Sequence, residues 1–188
     1  MTRPLLVVVS GKPGSGKSTL AQRLGDRSRL WLPVVSHDAI RSALRRTIGP
    51  EDTRFAVPVE RSIGLFYDTI ARFLEAGASV IAELSWRRGI SEGDLGRVAR
   101  LGRAVDVHCE VPVELARRRF VERERALWPD VEPADGPAGH IVRQMERGEF
   151  PWELFDPLDL DMPRIRVDTS DGYRPGLDEV ARFCWTAT

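Results

Sequence analysis

An apolar, β-branched run from Pro4 to Val9 leads into Gly11-Lys12-Pro13-Gly14-Ser15-Gly16-Lys17-Ser18, and a helical pattern follows from about Lys17 to Leu24. A run that is apolar at every position, not at alternate ones, reads as a strand buried on both faces. Such strands belong to parallel sheets, whose crossovers need helices, so this one feature selects an α/β chain. The octapeptide has the spacing GxxxxGK[ST] between strand and helix, the setting in which a turn wraps phosphate oxygens. Gly11, Gly14 and Gly16 let the backbone approach closely, and the free N–H groups of the helix start turn a positive dipole end toward the anion.

Further strand candidates are Leu32 to Val35, Ser79 to Ala82, Ala104 to Cys109 and Arg164 to Val167, with helical patterns between them. Five strands alternating with helices predict a three-layer α/β fold around a mainly parallel sheet. The clearest helix spans about Val59 to Ala76, where Ile63, Phe66, Tyr67, Ile70, Phe73 and Leu74 make one apolar stripe before Gly77. Another begins at a capping-box pattern, Ser91 to Asp94, and a third at Pro112. A last helix buries Leu177, Val180, Ala181 and Cys184. Leu127 to Gly139, rich in Pro, Gly and acidic residues, reads as a loop.

At 188 residues the chain suits one domain. Lys plus Arg and Asp plus Glu both number 28, so no global positive field favours nucleic acid, although a local basic groove remains compatible. No apolar run reaches membrane-span length, and the two cysteines, Cys109 and Cys184, have neither metal-site nor disulfide-framework spacing. His37, His108 and His140 also lack ligand spacing and read as structural or exposed. The expected address is the cytoplasm, with no membrane partner.

Within the octapeptide, Lys17 can reach the β and γ phosphates of ATP, and the Ser18 hydroxyl can join the coordination of a bridging Mg2+. Thr19 can touch the α phosphate. Beyond it, Ser36-His37-Asp38-Ala39-Ile40-Arg41 follows the second strand and opens a helix, a place where α/β sheets seat ligands. Asp38 there admits two roles, a carboxylate orienting an acceptor hydroxyl or a cap on a helix starting at Ala39. Arg41, one turn on, suits an anionic group or a surface pair with Asp38. Arg45 and Arg46 read as solvated.

The octapeptide together with Asp38-x-x-Arg41 and Arg119-x-x-x-Arg123 resembles the small P-loop kinases that include phage polynucleotide kinase, zeta toxin and chloramphenicol phosphotransferase. The resemblance extends over most of the chain and implies a P-loop NTPase fold with a helical lid, here about residues 119–150. It implies that Asp38 is the base for the acceptor hydroxyl, that Arg119 and Arg123 serve the lid, and that Glu83 lies near the acceptor or the magnesium waters. Around Glu83 the chain reads Ala82-Glu83-Leu84-Ser85 where the family more usually has Asp-Thr-Asn. A salt bridge from Glu83 to Arg87 or Arg88 is the structural alternative. Arg117, Arg118 and Arg125 leave the lid register open.

The expected function is ATP-dependent phosphorylation of a hydroxylated small molecule of nucleoside, sugar or antibiotic type. A polynucleotide 5′-hydroxyl kinase is the alternative, and a nucleotide-driven switch without an acceptor belongs to another class. The acceptor would be chosen by the lid and by the loop from about Gly49 to Val59.

Overall fold

The computed structural model describes residues 3–26, 29–48 and 59–187, and of residues 45–48 and 59 the backbone alone. The acceptor-choosing loop expected from Gly49 to Val59 and the side chains of Arg45 and Arg46 thus lie outside the described residues. In chain order the elements are β1 (Leu5–Gly11), α1 (Lys17–Gly25), β2 (Val34–Ser36), α2 (His37–Ile48), α3 (Val59–Glu75), β3 (Val80–Glu83), α4 (Glu92–Ala99), β4 (Arg103–Glu110), α5 (Val113–Leu127), α6 (Gly139–Glu146), a 3-10 helix (Trp152–Phe155), β5 (Arg164–Asp168) and α7 (Leu177–Thr186).

The strands form one sheet in the order β2-β3-β1-β4-β5, with every pairing parallel. This central position explains the continuous apolar run of β1, because every one of its residues is buried. Strand alternation sends Leu5, Val7 and Val9 to one face and Leu6 and Val8 to the other. The first set packs with Leu20, Leu24, Val180 and Cys184 of α1 and α7. The second packs with Phe66, Ile70 and Leu74 of α3 and Leu95 and Val98 of α4. Burying a side chain of this size contributes about 1.5–3 kcal/mol, so the stripe read on α3 is what fixes it to the sheet.

Several local expectations shift. Helix α2 starts at His37, not Ala39, which puts Asp38 inside the first turn and removes it from the cap position. Helix α4 has no side-chain cap. Ser91 Oγ instead accepts from the Arg87 N–H at 2.9 Å, and Asp94 pairs with Arg97 at 2.8 Å, so the capping box dissolves into a loop closure and a surface pair. Pro112 stands just before α5, not within it. The expected loop after Leu127 ends where α6 begins. Helix α6 and the 3-10 helix were not legible, because their apolar residues pack on a small separate cluster of Phe120, Val142, Met145, Phe150 and Phe155 away from the sheet.

On the Leu6–Val8 face, β1, β4 and β5 carry a buried polar chain. Ser10 Oγ lies 2.6 Å from Asp106 Oδ1 and 2.9 Å from His108 Nδ1, while Arg164 Nε donates to Asp106 Oδ2 at 2.6 Å. Burial pushes the His108 pKa down to about 4, helped by the charges of Lys12, Arg164 and Arg166. Its unfolded value is about 6.5, so below that pH the unfolded chain binds the extra proton and the folded chain does not. Stability is therefore complete above about pH 6.5 and falls as the pH drops toward about 4, by on the order of 2 kcal/mol between pH 7.5 and 5. Urea midpoints at the two pH values check this, and His108→Gln should flatten much of the difference.

Candidate active site

The turn after β1 is shaped by its glycines. Gly14 and Gly16 have φ of 80° and 83°, in the left-handed region that favours residues without a Cβ. A Cβ on Gly14 would collide with the carbonyl oxygen of Ala116 in α5, and one on Gly11 would lie 2.5 Å from that of Cys109. The turn is thus pressed between β4 and α5 with no room for a side chain at Gly11 or Gly14. Gly14→Ala combines strain of about 1–3 kcal/mol with this clash, and should lower the melting temperature and weaken nucleotide binding together. Retention of both in a thermal-shift assay would remove the close approach from the account.

No side chain caps α1, whose start lies at Gly16, so its first-turn N–H groups have no side-chain acceptor. Ser15 is fully buried and its Oγ has no hydrogen-bond partner among the described residues. These features suit a bound phosphate chain, which would supply acceptors to both. The Ser15 N–H donates to Lys12 O at 3.0 Å, and Lys17 Nζ donates to the same carbonyl at 2.8 Å. Pro13 completes the turn between them. Ser18 and Thr19 are exposed at the helix start, open to a ligand.

Lys17 is only 5% exposed. Burial lowers its pKa, while the carboxylates of Glu83 and Asp38 oppose that shift and the Arg123 guanidinium adds to it. The charges of Glu83, Asp38 and Arg123, from β3, α2 and α5, thus all act on one ammonium. Glu83 is buried at 3% exposure and accepts from Ser36 Oγ at 2.9 Å. That hydroxyl, and not Arg87 or Arg88, is its hydrogen-bond partner, which corrects the salt-bridge alternative. Asp38 is exposed and Arg41 half-buried. Both act on His37, which is buried against Ser62 at 2.9 Å.

The two arginines expected to serve a lid part company. Arg119 donates to the carbonyls of Thr169 at 3.0 Å and Ser170 at 2.8 Å, binding α5 to the loop after β5. Arg123 is exposed, lies over the Phe120 ring at 5.0 Å and meets Glu124 at 3.4 Å. Arg117 and Arg118 pair along the helix surface with Glu114 and Glu122. Of the tryptophans, Trp86 is core, its indole N–H donating to Val9 O at 3.1 Å.

Two supports of the turn escaped the sequence reading. Thr169 Oγ1 donates to Ser15 O at 2.7 Å, and Lys12 Nζ pairs with Asp156 at 3.0 Å. Each partner is more than a hundred residues away in sequence, so spacing carried no signal.

An AAA-domain family model matches residues 6–151. No protein of curated function matches the chain in sequence. Among solved structures, a proposed kinase from Chloroflexus aurantiacus J-10-fl is 26% identical, with 97% of this chain and 94% of that one covered and a TM-score of 0.72. A gluconokinase from Sinorhizobium meliloti 1021 is 19% identical over 98% and 91% of the two chains at a TM-score of 0.52. The APS kinase of Mycobacterium tuberculosis is 17% identical over 97% and 95% at 0.53. Among the described residues no helix is long and apolar enough to cross a membrane.

Proposed function

The chain belongs to the AAA-domain family in its P-loop kinase form, and from that premise we propose that it transfers the γ-phosphoryl group of ATP to a hydroxyl of a small-molecule acceptor. The observation that carries the reading is the buried Lys17 in the glycine turn, whose ammonium feels the carboxylates of Glu83 and Asp38 and the guanidinium of Arg123. In such a transfer the P–O bond to the β phosphate breaks as the acceptor oxygen bonds to phosphorus, and negative charge spreads over the γ oxygens and the leaving oxygen. Lys17 and Arg123 supply cations for that charge. Asp38, one turn from Arg41, takes the acceptor proton. Ser18 and Glu83 are the residues that would hold Mg2+, which would supply positive charge to offset that of the phosphates. Arg119 anchors the start of the lid, about residues 119–150, to the Thr169–Ser170 loop.

The exposure of Asp38 is also what a nucleotide-driven switch without an acceptor would present. Labelled phosphate separates the readings. Transfer from γ-labelled ATP to a member of a nucleoside, sugar and aminocyclitol panel, faster than release to water, is the expected result. Release to water alone would favour the switch, and efficient salt-sensitive labelling of 5′-hydroxyl oligonucleotides would favour the polynucleotide kinase, because a phosphate-tracking groove sheds counterions on binding.

A further inference from the structure

The β4–β5 half of the sheet bears a cleft of about 820 Å3 that touches the glycine turn only through Lys12. Asp38, Arg41 and Glu83 take no part in its lining, since β2 and β3 lie on the other side of β1. Four cationic side chains and four carboxylates line it, so no net charge draws an ion in. Several are spent on each other, as in Lys12–Asp156 and Arg166–Glu110 at 3.1 Å. Arg88 and Asp159, both exposed, form no ion pair among the described residues.

His108 also lines the cleft and is 2% exposed. Its protonation pattern follows from the polar chain beneath it. Asp106 is fully buried and ion-paired with Arg164, so its carboxylate accepts on both oxygens. The single Ser10 proton must then go to Asp106 Oδ1, and the Ser10 oxygen can only accept from His108 Nδ1. The hydrogen therefore sits on Nδ1, and Nε2 keeps a lone pair that has no partner among the described residues. Since His108 lines the cleft, that lone pair is an acceptor that a hydroxyl of a bound molecule can use in place of water.

We propose that this cleft binds a neutral polyhydroxylated molecule, a sugar or polyol, with one hydroxyl donating to His108 Nε2 and others accepting from Arg88 and donating to Asp159. Hydroxyls both give and take hydrogen bonds, which suits a wall of alternating acids and bases with no net charge. The volume lies within the range of small-ligand sites. The site stands independently of phosphoryl transfer, because binding is measured without nucleotide.

The experiment titrates isotope-labelled protein with glucose, glucitol and myo-inositol, followed by NMR. At least one should shift the signals of His108, Arg88 and Asp159 and remain bound when adenosine is added. Arg88→Ala and Asp159→Ala should each weaken binding by about threefold to tenfold, the effect of one lost hydrogen bond. His108→Leu should weaken it by about tenfold or more. Nitrogen spectra of the ring should show Nδ1 protonated and Nε2 bare. If His108→Leu fails to fold, the two surface variants and the ring spectrum decide. No shift with any polyol, displacement by adenosine, binding of gluconate but not glucitol, or a protonated Nε2 would each overturn the proposal.

Discussion

Lys17→Met should leave a folded protein that neither gains stability from ATP nor transfers phosphate, with turnover down by about a thousandfold, as for loss of a cation that stabilises transferring phosphoryl charge. The methionine fits the slot because Lys17 is already buried and the two unbranched side chains are of similar length. Its loss does not orphan the Lys12 carbonyl, which still accepts from the Ser15 N–H at 3.0 Å. Removing a buried cation removes its desolvation cost but also takes a positive neighbour from the buried Glu83 carboxylate, which keeps its Ser36 hydrogen bond, so the unliganded variant should stay folded and melt near or modestly below the parent. The loss thus falls on the liganded state. Thermal shift with and without ATP and magnesium, beside single-turnover transfer, reads both halves. An ATP-induced shift equal to the parent's would remove Lys17 from the phosphate site.

The contrast between the legible and illegible parts of this molecule has a physical origin. β1, the glycine turn and α1 were readable because adjacent residues dictate them: a both-face strand must be apolar throughout, and the close approach of Cys109 and Ala116 to the turn leaves room only for glycine. The stripe on α3 was readable for the same local reason. β2 shrank to Val34–Ser36 because it lies at the sheet edge, where one neighbour alone sets its length. Helix α6 stayed hidden because its apolar face meets Phe120, Phe150 and Phe155, a partner that exists only once the chain after α5 has turned back. The site divides in the same way. Lys17 follows from spacing, whereas the Ser36 hydroxyl on Glu83, the Asp156 carboxylate on Lys12 and the split between Arg119 and Arg123 are products of tertiary packing.

Asp38→Asn separates chemistry from architecture. Because α2 begins at His37, Asp38 stabilises the helix only as a negative charge near its positive end, worth about 0.3–1 kcal/mol at an exposed position. Asparagine loses that charge and little else, so the variant should fold and bind ATP almost as the parent does. The amide cannot take a proton from the acceptor hydroxyl, however, and the removal of a general base costs about 10²–10⁴ in rate. Transfer to the acceptor should fall by about a thousandfold while ATP affinity changes less than about twofold. A lost base should also appear as a kcat effect with KM nearly constant, since the interaction is made as the proton moves and not in the ground state. Steady-state kinetics on the acceptor found in the labelling panel, with melting curves as the control for folding, distinguishes the two roles. A well-folded Asp38→Asn variant with full turnover would leave Asp38 as a surface charge at a helix start and send the search for the base elsewhere around Lys17.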